Sequence, residues 1–140
     1  MKYKLTDETI EHEGRTLHRI EALIDFANIK KGDKGGFVER GEDLSHNGDA
    51  WVCGDAEVYG DAKVYGDAKV ENMRDYIVFK NWWSSGRYFT WTRSNDMWRV
   101  GCFYGTGKEL VEKAYKDSDD KGRNYEQIVN YVENIKTQEK

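Results

Sequence analysis

The sequence has no proline, so its turns fall largely to its 14 glycines. Its two cysteines, Cys53 and Cys102, make neither a disulfide framework nor a zinc site, which agrees with a reducing compartment. No apolar run approaches the roughly 18 residues that cross a bilayer. Met1-Lys2-Tyr3-Lys4 leads into Thr6-Asp7-Glu8-Thr9 rather than an apolar leader. The expectation is a cytoplasmic chain with no membrane partner. Positive charge is also short. With 22 basic against 26 acidic side chains and a formal net charge of -4, nothing global favours nucleic acid or an anionic surface. A chain of 140 residues makes one domain or two very small ones, large enough for a core and too small for a large enzyme cleft. Aromatic residues at 14% argue for a folded chain despite a mean hydropathy of -0.91.

An internal repeat organises the first half. From Gly48 to Glu71 the chain reads Gly-Asp-Ala-Trp-Val-Cys, Gly-Asp-Ala-Glu-Val-Tyr, Gly-Asp-Ala-Lys-Val-Tyr, Gly-Asp-Ala-Lys-Val-Glu, four hexads in register. The alternation of Ala50, Val52, Ala56, Val58, Ala62, Val64, Ala68 and Val70 turns one side of an extended segment inward, and Gly-Asp supplies a corner after each. A six-residue period marks a β-solenoid, whereas the nine-residue calcium-binding roll needs a Gly-Gly-x-Gly-x-Asp pattern that is missing. A hairpin stack is the other arrangement, but it gives no reason for identical hexads.

The hexads resemble those of left-handed β-helix proteins, in which three hexads make one triangular coil. Val takes the inward aliphatic position and Ala the small one, while Cys53, Tyr59 and Tyr65 stand where a small or acidic residue is usual. Upstream, Leu17 to Leu23, Gly32-Asp33-Lys34-Gly35-Gly36-Phe37-Val38-Glu39 and Leu44-Ser45-His46-Asn47 are similar to the leader of small phage and prophage proteins. Those proteins run from an N-terminal hairpin through a Gly-Gly-aromatic-Val segment into such repeats. The resemblance covers about half the chain and implies an origin on mobile DNA and a β-helical body, with no activity attached. The expected organisation is a hairpin cap over residues 1–19, a short left-handed β-helix of just under three coils over 20–72, and a further module over 73–140. Both ends of so short a stack leave backbone groups unpaired, and the hairpin and the C-terminal half are expected to cap them.

After Asn72 the pattern changes. Tyr76 to Phe79, Tyr88 to Thr92 and Met97 to Phe103 are rich in β-branched and aromatic residues and predict a three-stranded antiparallel meander. Thr106 with Glu109 predicts a capping box for a helix whose face carries Leu110, Val111, Ala114 and Tyr115. Residues 118–122 are expected to break it, and a second helix follows from Asn124 as N-cap, with Tyr125, Ile128, Val132 and Ile135 on one face. The fold class is therefore mainly β with an α+β C-terminus: a short left-handed β-helix, then a three-stranded antiparallel meander and two helices.

Trp82, Trp83, Trp91 and Trp98, four of the five tryptophans, interleave with Lys80, Arg87, Arg93 and Arg99. Such a cluster can grip a partner or stack bases, although a sheet under two helices also needs large core residues. Adjacent Trp82 and Trp83 face opposite ways on a strand, which leaves one for contact. The expected partner-binding residues are Trp82, Trp83, Arg87, Arg93 and Arg99. The expected oligomer interface is Tyr59 and Tyr65, outward aromatics on otherwise charged faces. His46 is the candidate general base of an acyltransferase, but without an orienting partner it reads as a turn residue. Asp49, Asp55, Asp61 and Asp67 read as corner residues bonding the turn backbone. Gly105-Thr106-Gly107-Lys108 lacks the spacing of a phosphate loop and reads as a helix cap. Charge is divided: residues 1–72 hold 16 acidic and 10 basic side chains (net -6), and 73–140 hold 10 and 12 (net +2).

No catalytic residue, metal or cofactor is expected. The functional expectation is a non-enzymatic phage or prophage interaction protein in the host-cell cytoplasm. It would bind and inhibit a host protein such as a defence effector, in the manner of an anti-CRISPR protein, or sequester a small signalling nucleotide. Direct nucleic-acid binding is not expected, and a homo-oligomer is. The alternatives are a reduced hexapeptide-repeat acyltransferase and a structural spacer.

Overall fold

The computed structural model describes residues 1–81 and 86–138. The chain begins with two antiparallel strands, β1 (Tyr3–His12) and β2 (Arg15–Ala22), joined by Glu13 and Gly14 at φ 50° and 81°, the two positive values that a tight hairpin turn requires. β2 also pairs antiparallel with β3 (Lys34–Val38), and there the pairing changes sense. The next strands, β4 (Trp51–Val52), β5 (Glu57–Val58) and β6 (Lys69–Val70), take part in parallel pairs: β3 with β5 and β4 with β6, while Leu44 bridges Val64 between them.

Val38 therefore lies on Val58, Leu44 on Val64 and Val52 on Val70, intervals of 20, 20 and 18 residues. The last interval is three hexads. The two extra residues of the others fall between Leu44 and Val52, in the stretch that contains His46. Gly48, Gly54, Gly60 and Gly66 turn the corners at φ 55° to 73°, in the left-handed region that a side chain resists. All eight repeat Ala and Val residues are buried, and they form one core with Val38 and Leu44. Gly35 is required by this packing, since a Cβ there would stand 2.8 Å from the Trp51 ring. Two layers result, where the hexad count led to just under three. Ile20 to Ala22, assigned from sequence to the first coil, belong instead to β2, and the parallel pairing starts only at β3.

Both ends of this two-layer stack are closed, one flank at a time. At the N-terminal end β2 covers β3, and the Tyr3 hydroxyl lies 2.6 Å from both Gly41 C=O and Leu44 C=O, one proton serving two carbonyls. The Lys2 ammonium donates to Ala50 C=O at 2.6 Å and Gly48 C=O at 3.2 Å on the third flank. At the other end Tyr76 donates its hydroxyl to Glu57 C=O (3.0 Å), while Thr90 Oγ1 accepts from Lys63 N–H (3.0 Å) and Ser94 Oγ from Lys69 N–H (2.7 Å).

These last three groups come from an antiparallel meander in the order β10-β9-β8-β7: β7 (Tyr76–Lys80), β8 (Tyr88–Thr92), β9 (Met97–Val100) and β10 (Phe103–Gly105). It has four strands where three were expected, because Gly101 at φ 56° turns the chain between Val100 and Phe103. The two-residue side-chain period of β7 divides it between two cores. Tyr76 and Val78 join the repeat core, while Ile77 and Phe79 join a second one with Phe89, Trp91, Trp98, Leu110, Ala114, Tyr125 and Val132. The second core lies under α1 (Gly107–Asp117) and α2 (Asp119–Gln138). The capping box at Thr106 and Glu109 is present. The helix break is Ser118 alone, with extended φ of -170°, so α2 starts before Asn124, whose side chain bonds Asp120 C=O inside the helix. Gly122, read from sequence as a breaker, is instead a contact glycine: a Cβ there would strike the Tyr115 ring.

Two predictions follow from the closed ends and the buried charge inside them. Thr90→Val keeps the side-chain volume and strips Lys63 N–H of its acceptor, so thermal unfolding should show a loss of about 1–3 kcal/mol with an unchanged circular-dichroism spectrum. The second concerns Asp43, which is fully buried, with Oδ2 bonded by Arg40 N–H at 3.1 Å. Its Oδ1 lacks a hydrogen bond, the nearest cations being Arg40 Nε at 3.7 Å and Lys63 Nζ at 3.8 Å. Burial pushes this carboxyl up to about 6, against the opposing pull of Arg40 and Lys63. A folded-state value above the unfolded one gives a stabilisation that is complete below the unfolded pKa and is lost as pH rises through the folded one. Urea unfolding should therefore show the native chain gaining on Asp43→Asn as pH falls from about 7 to about 4, the variant's comparison cancelling the other carboxylates.

Candidate functional site

Of the residues expected to bind a partner, the described ones, Arg87, Arg93 and Arg99, each have different surroundings. Trp82 and Trp83 lie outside the described residues. Trp91 and Trp98 are core side chains, 2% and 1% exposed, and Trp91 Nε1 donates to Asp96 at 2.8 Å. Arg93 is spent on Asp75, with Nε and Nη2 at 3.1 and 3.0 Å from Oδ1. Asp75 Oδ2 also accepts from the N–H groups of Glu71 and Asn72, so this carboxylate ties the end of the repeats to the start of β7. Arg99 lies over the Tyr65 ring at 4.2 Å. Arg87 is exposed beside a small cleft of about 110 Å³ with Cys102, Phe103, Lys113 and Tyr125. Tyr65 is thus covered from within the chain, and Tyr59 packs at 4.9 Å against the His12 ring, so both expected interface tyrosines have intramolecular partners. The corner carboxylates differ from expectation too: Asp55 and Asp67 accept from the Arg19 and Asn95 side chains, outside their own turns.

His46 occupies the two-residue insertion and is held as a wedge. Its ring stacks on Tyr3 at 4.1 Å and 7°, and Nδ1 accepts from the Lys2 backbone N–H at 3.1 Å. Burial, then the charges of Lys2 and the N-terminus, hold it below the usual imidazole range, and Nδ1 as acceptor puts the ring proton on Nε2. Lys2 is pushed down to about 8 by burial, with Asp49 opposing, and its amine keeps donors for Gly48 and Ala50 in either protonation state.

A groove of about 910 Å³ opens where the hairpin tip, the corners around β5 and the edge of β7 meet. His12 and Arg15 reach it from either side of the Glu13-Gly14 turn, Tyr59 from the repeats, and Tyr76 and Tyr88 from the meander. Met73, 86% exposed, stands at the rim. His12 Nδ1 lies 3.4 Å from Glu57 Oε1, and the Arg15 guanidinium sits 5.7 Å over the Tyr59 ring while bonding Glu39 at 2.9 Å. Tyr76 is anchored by its hydroxyl on Glu57 C=O, and burial raises its pKa above the ordinary phenol range. Asp55, Glu57, Asp61 and Glu71 put four carboxylates on the lining. Chemically this is a surface for aromatic stacking and for cations. The sequence places His12 and Arg15 around one turn, but nothing local connects them to Tyr59, Tyr76 and Tyr88, so the groove becomes visible only in the fold. Among the described residues no group of His, Cys, Asp and Glu is arranged to hold a metal, and no helix is long and apolar enough to cross a membrane.

The position of Arg93 yields a direct test. Arg93→Ala leaves Asp75 without its cation and should lower stability by about 1–3 kcal/mol in thermal unfolding. Affinity for any captured partner should stay unchanged after correction for the unfolded fraction; a loss of affinity without a change in stability would return Arg93 to the contact surface. A scan against protein-family models and a search of curated proteins return no match to this chain.

Proposed function

We propose that the chain is a non-enzymatic interaction protein of phage or prophage origin that binds and inhibits a host factor in the host-cell cytoplasm, with the groove as its working surface. The observation that carries this reading is the groove itself: three tyrosine rings, a methionine and a hairpin tip from three separated parts of the chain converge on one concavity. Tyrosine-rich concave surfaces favour protein recognition, because large rigid rings bury area at little entropic cost. In this reading the repeats form two coils of a left-handed β-helix whose task is to hold the hairpin tip opposite β7. The interval of 18 residues between Val52 and Val70, three hexads per coil, supports that geometry. A counter-defence role follows from the likeness to mobile-element proteins. Among targets of that kind, four lining carboxylates favour a protein over a signalling nucleotide, whose phosphates they would repel. The acyltransferase alternative would need His46 as a free base, and that ring is stacked on Tyr3 with Nδ1 engaged.

The test immobilises the full chain, exposes it to host lysate, and measures affinity for whatever single protein is retained in stoichiometric amount. Tyr59→Ala and Tyr88→Ala should each weaken that binding by about 2 kcal/mol or more while the melting temperature holds. Retention unaffected by both variants would place the working surface elsewhere, and turnover of an acyl donor would overturn the non-enzymatic reading.

A further inference from the structure

Among the described residues β7 is the last strand of its sheet and pairs only with β8. Arg93 N–H donates to Asp75 C=O at 2.8 Å and Asn81 N–H to Arg87 C=O at 2.7 Å, so these two are hydrogen-bonded pairs of the ladder. Antiparallel pairs alternate, which turns the groups of Ile77 and Phe79 toward β8 and the N–H and C=O groups of Tyr76, Val78 and Lys80 outward. Among the described residues no other segment takes up those outward backbone groups. Tyr76 and Val78 line the groove, so its wall carries the donor–acceptor row of an open strand edge, the feature that edge strands ordinarily cover or charge.

The groove also has a sign. Asp55 is bonded to Arg19 and Asp61 lies 3.9 Å from Arg40, so the acidic side of the lining is carried by Glu57, beside His12, and by Glu71, while the guanidinium of Arg15 is already bonded to Glu39. Its tyrosine faces are suited to cations as well. Resting on the reading of the groove as the binding surface, we infer that it takes an extended strand of a partner protein with cationic side chains, added edge-on to β7. Main-chain bonds to Tyr76 and Val78 supply affinity, and every second side chain of the incoming strand meets the carboxylates and tyrosines. A second copy of this chain fits less well, because its own groove carries the same Glu57 and Glu71 and would set like charges against each other.

The test titrates three capped hexapeptides into the full chain by calorimetry: one alternating arginine with valine, one alternating glutamate with valine, and the arginine peptide N-methylated at every second backbone amide. The first should bind at least about tenfold more tightly than either other, and Glu57→Gln with Glu71→Gln should narrow the gap between arginine and glutamate at an unchanged melting temperature. Equal affinity for arginine and glutamate, equal affinity for the N-methylated peptide, or no binding of any would each overturn the inference. A dimer in sedimentation that Lys80→Glu dissociates would assign the edge to a second copy and overturn it too. If a host protein is retained through Tyr59 while no peptide binds, strand addition fails and the host-factor reading stands. Peptide binding with no retained host protein gives the reverse.

Discussion

A parallel stack two layers deep has as many unpaired backbone groups at its ends as paired ones between its layers, and that constraint organises the molecule. A buried amide or carbonyl left without a partner costs about 1–3 kcal/mol, comparable to what one hexad gains from burying its Ala and Val. Each end flank therefore has its own partner of different chemistry: a strand, a phenol and an ammonium at one end, and a phenol and two hydroxyls at the other. The C-terminal cap is a sheet face, and because the other face carries α1 and α2 the meander is buried on both sides. Its strands are accordingly almost continuous in β-branched and aromatic residues, as strands covered on both faces are. Thr90, 1% exposed, is the polar residue such a face needs to meet backbone instead of side chains.

What the sequence made legible is what repeats or is local. The inward Ala and Val residues, the corner glycines and the Thr106 capping box all lie where period and spacing put them. The misreadings share a cause, which is that a residue's role was set by something distant in sequence. Gly122 carries the mark of a helix breaker, yet its lack of a side chain makes room for Tyr115. Ile20 to Ala22 have the pattern of a coil strand, yet β1 reaches them first through the hairpin turn. Arg93 and Arg99 stand among tryptophans in the sequence, and only the fold shows Asp75 and Tyr65 lying against them. The groove is the extreme case, since its walls come from residues 12 to 88 and no window of sequence contains it.

The buried ionisable groups show how caps tolerate charge. Lys2 is 2% exposed, and its long apolar stem crosses the core end to put a donor on the third flank, with Phe26 4.9 Å from its Nζ. Asp43 is more costly, because the backbone N–H of Arg40 satisfies one oxygen and the other is left with cations beyond bonding distance. Both sit where the irregular first layer departs from the hexads, so that layer depends on individually placed side chains where the second depends on repetition.

The end caps also set how such a chain can change in length. Tyr76, Thr90 and Ser94 each address a particular flank, so inserting one hexad would advance the last layer by a third of a revolution and present every cap residue with the wrong side. Inserting three hexads, 18 residues, would restore the match and simply raise the stack by a layer. Size in this architecture is quantised: only whole turns keep every cap residue on its own flank, so the distance from hairpin tip to β7 would change by one layer at a time.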